Sequence, residues 1–170
     1  MAEEVLVKEP LTQDMIEAGQ EMAQILTATG YEYDALFWLY TSEANMWRLT
    51  IVSSKVKDGP LKAYAELREA LESVPNGLVQ KRNLGLFGIS LMNADDPLVL
   101  ALAGASKMTN LSDQRLTRTY INWVYIEDAY VYFISNSLEG MPVVWRDEDV
   151  DKAKPIKFRR MRSSDISHEP

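Results

Sequence analysis

The sequence predicts an α+β fold in a single domain. The expected sheet is mixed or mostly antiparallel, has about five to six strands built from two hairpins, and carries three helices on one face. Three observations predict it. At 170 residues the chain has one domain's length. Three segments place apolar residues at helical spacing between recognisable caps. Two pairs of aromatic and β-branched runs flank short polar turns, as hairpin strands do.

Each element has a local justification. Thr12 to Thr29 reads as a helix because Met15, Ala18, Met22, Ile25 and Leu26 recur on one face, with Asp14 in the first turn and Gly30 placed to end it. Ala35 to Tyr40 and Trp47 to Ser53 surround Ser42-Glu43-Ala44-Asn45 as a hairpin. Asp58-Gly59-Pro60 breaks the strand and opens a second helix, expected to turn Leu61, Tyr64, Ala65, Leu71 and Val74 inward and to close at Pro75-Asn76-Gly77. Leu86 to Met92 is a strand whose Gly85 and Gly88 suggest a bulge. Asp95-Asp96-Pro97 supplies an aspartate cap and a proline at the first helical position. The helix it opens, Leu98 to Ser106, is uncharged and must be covered all round, by its own core or by another chain. Thr119 to Ile126 and Ala129 to Ser135 form a second hairpin with Glu127-Asp128 as its turn, and Val143 to Trp145 and Ile156 to Met161 are short strand candidates.

Composition narrows the chemistry. The chain has no Cys and one His, His168, the third residue from the end. Disulfides, thiolate metal sites and cysteine nucleophiles are therefore out, and most histidine-based acid–base or zinc chemistry lacks its side chain. No cofactor is expected. The net charge is −7, divided as −10 over residues 1–150 and +3 over residues 151–170. An acidic body does not suit a nucleic-acid backbone or an anionic membrane, whereas a basic tail suits a local contact of that kind. The opening MAEEVLVKEP carries acids where a signal peptide has bases, and the longest apolar run, Pro97 to Ala105, is too short to span a bilayer. The expectation is a cytoplasmic protein without a membrane partner. Residues 1–146 form the globular domain and 147–170 a charged tail, with an edge strand over 156–161.

Several motifs invite chemistry and fail on their own terms. Asp95 and Asp96, near Asn93, offer carboxylates to a hard cation, but helix capping accounts for every residue there. Ser54-Lys55-Val56-Lys57 has the S-x-x-K spacing of a serine acyl-enzyme, yet Ser112-Asp113-Gln114 misses the S-D-N partner by one residue and no K-T-G follows. A helix followed by a hairpin with Asp34 on one strand and Lys55 ending the other has the order of a metal-dependent nuclease core. The position two before Lys55 is Ser53, where that site needs a second acid. Lys81-Arg82 ahead of Gly85 and Gly88 lacks the spacing of a phosphate-binding loop.

The second hairpin is the most distinctive segment. With Glu127-Asp128 as the turn, Trp123, Tyr125, Tyr130 and Tyr132 share one face with Ile121 and Ile134. That face is an aromatic platform of the kind protein interfaces use. The basic side chains Lys157, Arg159, Arg160 and Arg162 of the tail are the candidates for phosphate contact. The function expected is therefore a non-enzymatic protein–protein interaction module, a self-associating accessory subunit of a cytoplasmic assembly, using Trp123, Tyr125, Tyr130 and Tyr132. The alternative is a nucleic-acid-binding or metal-dependent phosphodiester-cleaving protein using the basic tail and Asp34, Asp95 or Asp96.

Overall fold

Strand β1 (Ala35–Thr41) is apolar on both sides of its pleat, and the sheet is arranged around it. In the computed structural model, residues 8–74 and 88–138 are described in full, together with the backbone of two short strands at Val144–Asp147 and Arg159–Arg160. The sheet runs β3-β2-β1-β5-β4-β6-β7. Strand β2 is Met46–Val52, β3 Ile89–Met92, β4 Gln114–Ile121, β5 Val124–Ile134, β6 Val144–Asp147 and β7 Arg159–Arg160. Among the described strands only the β2–β3 pair is parallel; the other neighbours are antiparallel, so the sheet is mixed. The helices are α1 (Gln13–Thr29), α2 (Pro60–Glu72) and α3 (Pro97–Met108). The α+β class, the three helices and a core of five strands agree with expectation, and β6 and β7 extend one edge. Strand β7 falls inside the edge strand expected at 156–161.

Helices cover both faces of the sheet, which corrects the one-sided arrangement expected from the hairpins. Along β1, Leu36, Trp38 and Tyr40 pack with Met15, Ala18, Met22 and Leu26 of α1 and Leu67 of α2. Ala35 and Phe37 point the other way, into a core with Val99, Ala101, Leu102 and Ala105 of α3 and Ile126, Ala129 and Val131 of β5. The uninterrupted run Ala-Leu-Phe-Trp-Leu-Tyr is what a strand buried on two faces requires. Two helices on one face and the uncharged helix on the other also explain α3: its Val99 and Ala101 to Ala105 are buried by the chain's own sheet.

Local signals set the helix ends. Thr12 Oγ1 accepts from Met15 N, and Gly30 closes α1 at φ 72°, the left-handed conformation that glycine adopts without penalty. Asp96 Oδ1 accepts from Leu98 N at 2.9 Å and Pro97 follows, as the capping pattern predicts. Helix α2 begins at Pro60 as expected but is rotated. Ala63 and Leu67 are its buried residues, while Leu61 is 88% exposed and Tyr64 is exposed at its ring. The Tyr64 hydroxyl accepts from Leu91 N on the outer strand β3 at 2.9 Å, so the side chain assigned to the core instead covers a free backbone donor. The predicted stop at Pro75-Asn76-Gly77, and Gly85 before β3, lie outside the described residues.

Helix α1 meets the sheet at Tyr132. Strand β5 changes register against β1, with Phe37 opposite Val131 and Leu36 opposite Phe133, leaving Tyr132 as the extra residue of a bulge. Its side chain runs under α1. The hydroxyl donates to Ile16 O at 2.7 Å and accepts from Trp38 Nε1 at 3.0 Å, and Trp38 Nε1 also reaches Met15 O at 3.0 Å. A Cβ at Gly19 would overlap this ring and hydroxyl, so the helix approaches as closely as it does only because residue 19 has no side chain. Gly19→Ala is expected to destabilise the fold by about 1–3 kcal/mol through overpacking, against a helix-propensity gain of under about 1 kcal/mol. Tyr132→Phe, which keeps the ring, is expected to cost about 1–2 kcal/mol and to leave the Gly19→Ala penalty in place, as urea unfolding of the single and double variants will show.

Candidate functional site

The β4–β5 hairpin does not turn at Glu127-Asp128. Its closing pair is Ile121 with Val124, and the two residues between, Asn122 and Trp123, have φ 49° and 70°. Positive φ at both central positions of a two-residue loop is the type I′ turn, whose twist matches the strands. Strand pairing therefore sets Tyr120 opposite Tyr125, Thr117 opposite Asp128 and Arg115 opposite Tyr130, in place of the pairing that a turn at Glu127-Asp128 implies. Glu127 lies within β5, and its Oε1 accepts from Ser42 N and Oγ at 3.1 and 2.7 Å, tying the β1–β2 turn to the neighbouring strand.

This register separates the four aromatic residues that the sequence groups together. Trp123 stands at the hairpin tip, 72% exposed, and Tyr125 next to it is 40% exposed. The Tyr125 ring lies 4.8 Å from that of Tyr120, tilted by 41°. Tyr130 is half-buried with its ring 5.1 Å from Tyr132, and Tyr132 is in the core under α1. Of these four, Trp123 and Tyr125 are exposed at the tip, while Tyr130 and Tyr132 pack on the helix side.

Beneath α1's leading segment, Asp128 forms a second polar centre. The residue is 1% exposed. Arg115 meets it in a two-pronged contact, Nε to Oδ1 at 3.0 Å and Nη2 to Oδ2 at 2.9 Å; Lys8 Nζ donates to Oδ2, and Thr117 Oγ1 donates to Oδ1 at 3.3 Å. The Lys8 ammonium also lies 4.8 Å from the Tyr40 ring centre and 5.6 Å from that of Trp47, and Trp47 Nε1 donates to Glu9 O at 2.8 Å. Burial alone would push the Asp128 pKa up, but the hydrogen bonds and charges of Arg115 and Lys8 outweigh it and hold the carboxyl below its ordinary value. Sequence reasoning placed Asp128 in a turn; its partners lie 13 and 120 residues away, beyond the reach of any local pattern.

The residues of the phosphodiester reading do not come together. Asp34 begins the approach to β1, its N–H donating to Val52 O and its carbonyl accepting from Ser135 N, both at 2.7 Å. Lys55 pairs with Glu66 at 3.2 Å, Asp95 lies 3.9 Å from Lys57, and Asp96 caps α3. Among the described residues no three acids or histidines converge as metal ligands do. Ser54 and Lys57 belong to one 3-10 turn, Ser54–Asp58, following Ser53. Arg159 and Arg160 contribute backbone to β7; their side chains, and Lys157 and Arg162 altogether, lie outside the described residues, as do Lys81 and Arg82.

No protein-family model, curated protein or solved structure matches this chain. Among the described residues no helix is long and apolar enough to cross a membrane.

Replacing Asp128 tests the buried centre. With a depressed pKa in the folded state, the carboxylate stabilises the fold above the ordinary carboxyl pKa of about 3.9, and that contribution disappears as pH falls through the lower folded value. Asp128→Asn should therefore cost about 2 kcal/mol at neutral pH, less than the roughly 3–5 kcal/mol of a fully buried pair because Lys8 and Arg115 are themselves half-exposed. The gap between the two urea midpoints should stay constant down to about pH 5 and narrow below about pH 4.

Proposed function

We propose that this protein is a non-enzymatic interaction module that associates with itself through the tip of the β4–β5 hairpin, as an accessory subunit of a cytoplasmic assembly. One observation carries the reading. Trp123 occupies the second central position of a type I′ turn, where glycine is the favoured residue, at φ 70° and 72% exposed. A large aromatic side chain there costs about 1 kcal/mol of backbone strain and leaves much of its apolar surface in water. A large aromatic side chain held in a left-handed backbone position and still mostly in water is what a binding anchor looks like in the free chain. The adjacent Tyr125, stacked at an angle on Tyr120, widens the same surface with residues that interfaces favour.

The uncharged helix, the sequence's other argument for an external partner, gives this reading no support, because α3 is covered by the chain's own core. The reading stands on the hairpin tip.

Light scattering behind size exclusion tests it on the full chain and on Trp123→Gly, which restores the Asn-Gly pair this turn prefers. The wild-type chain is expected to self-associate at micromolar concentration and to remain associated in high salt, since the contact is apolar. Trp123→Gly is expected to be monomeric and about 0.5–1 kcal/mol more stable to urea. A wild-type monomer at every concentration, or a variant that assembles as the wild type does, would overturn the proposal.

A further inference from the structure

Two adjoining cavities open where the C-terminal end of α1 meets the segment after β2 and the flank of α2. They measure about 310 and 580 Å³ and share Gly30 and Tyr31 in their walls. Both lie in the size range of small-ligand sites. Lys55, Glu66 and Glu69 line the first, and Glu32 and Asp34 the second, giving four carboxylates to one ammonium. Gly30 caps α1 at this point, so the negative end of the helix dipole adds to the same sign.

Two buried oxygens in the first cavity have hydrogen-bonding capacity to spare. Tyr31 is 7% exposed, and its hydroxyl makes no hydrogen bond of regular geometry, although the Ser53 hydroxyl lies near enough to oppose the rise in pKa that burial causes. Glu66 Oε2 is buried as well, and its charge is met by Lys55 Nζ at 3.2 Å without a well-formed hydrogen bond. Lys55 also stands over the Tyr31 ring at 5.1 Å. The chain's own lysine thus shows that a primary ammonium fits between this ring and this carboxylate.

We infer that the cleft binds a small linear polyamine, with one ammonium at Tyr31 and Glu66 and further amines along Glu69, Glu32 and Asp34. The charge balance disfavours an anion. The carboxylates are divided between the two cavities, Glu66 and Glu69 in the first and Glu32 and Asp34 in the second, and among the described residues no three converge on a point, which suits amines separated by methylene spacers and does not suit a metal ion. The bound ammonium takes the place of Lys55 Nζ, which moves out to solvent; Tyr31 Oη then accepts from the ligand, and the ring face supplies the cation–π contact that Lys55 makes now. This site is separate from the hairpin tip and stands or falls without it.

Calorimetric titration of the full chain with spermidine at physiological salt tests the inference. The expected result is saturable binding of one spermidine per chain. Glu66→Gln with Glu69→Gln should weaken it about tenfold or more, and Tyr31→Phe several-fold. Glu43→Gln removes one carboxylate from the exposed β1–β2 turn, outside the cleft, and should leave the affinity unchanged, while melting curves confirm that every variant is folded. The absence of saturable binding up to about 10 mM spermidine, an equal response to Mg²⁺ at matched ionic strength, or a loss in Glu43→Gln as large as in the cleft variants would overturn it.

Discussion

The register shift at Tyr132 and the absent side chain at Gly19 together fix how α1 sits on the sheet. A bulge puts one more residue on β5 than β1 can pair, and that residue goes under the helix. Once there, its hydroxyl links Trp38 of the central strand to the Ile16 carbonyl of the helix, while Trp38 bonds Met15. An indole N–H and a phenol buried among Met22, Leu26 and Leu36 would be costly unpaired, and here each satisfies the other. The bulge also resets the alternation of β5, so Ile134 returns to the α3 side and Phe133 reaches the rim, where its ring meets Tyr33 edge-on at 5.7 Å.

From this anchored face the two ends of the sheet take different characters. Toward the β1–β2 turn, Asp128, Arg115 and Lys8 concentrate charge against Tyr40 and Trp47, and the segment before α1 is held across them. At the end of α1 the chain passes Gly30 and Tyr31 into β1, and the acids of that passage remain spread out around an open cleft. One region compensates a buried carboxylate with two cations. The other leaves four carboxylates to one lysine. The hairpin tip is neutral and aromatic, and its distance from either charge cluster follows from the length of β5.

Local features were legible in the sequence. Thr12, Gly30, Asp96 and Pro97 mark helix ends because a cap is a contact within one turn, and the structure keeps each of them. The first hairpin was equally plain, with its polar tetrad between two apolar runs. What failed was pairing and phase. Asn122 is a good type I′ residue, but Trp123 beside it conceals the turn, and the acids at 127 and 128 offer a more conventional one. Helix α2 has apolar residues on more than one face, and contact with the neighbouring strand selected Ala63 and Leu67 over Leu61 and Tyr64. Helices on both faces were signalled by the unbroken apolar run of β1, a pattern that period-two reasoning does not register. The cleft at Tyr31 had no signal at all, since Tyr31, Lys55 and Glu66 come from three separate elements.

The central place of β1 also governs the order in which the chain becomes protected. Strand β2 follows β1 directly and closes one side of it at small entropic cost, but β5 arrives only after about seventy further residues. Until then the second edge of Ala-Leu-Phe-Trp-Leu-Tyr is open, and the Trp38 N–H lacks its phenol partner. A growing chain therefore carries its stickiest strand half-paired until β5 has been made. The early hairpin becomes safe only when the late one docks, which makes the last third of the domain the guardian of the first.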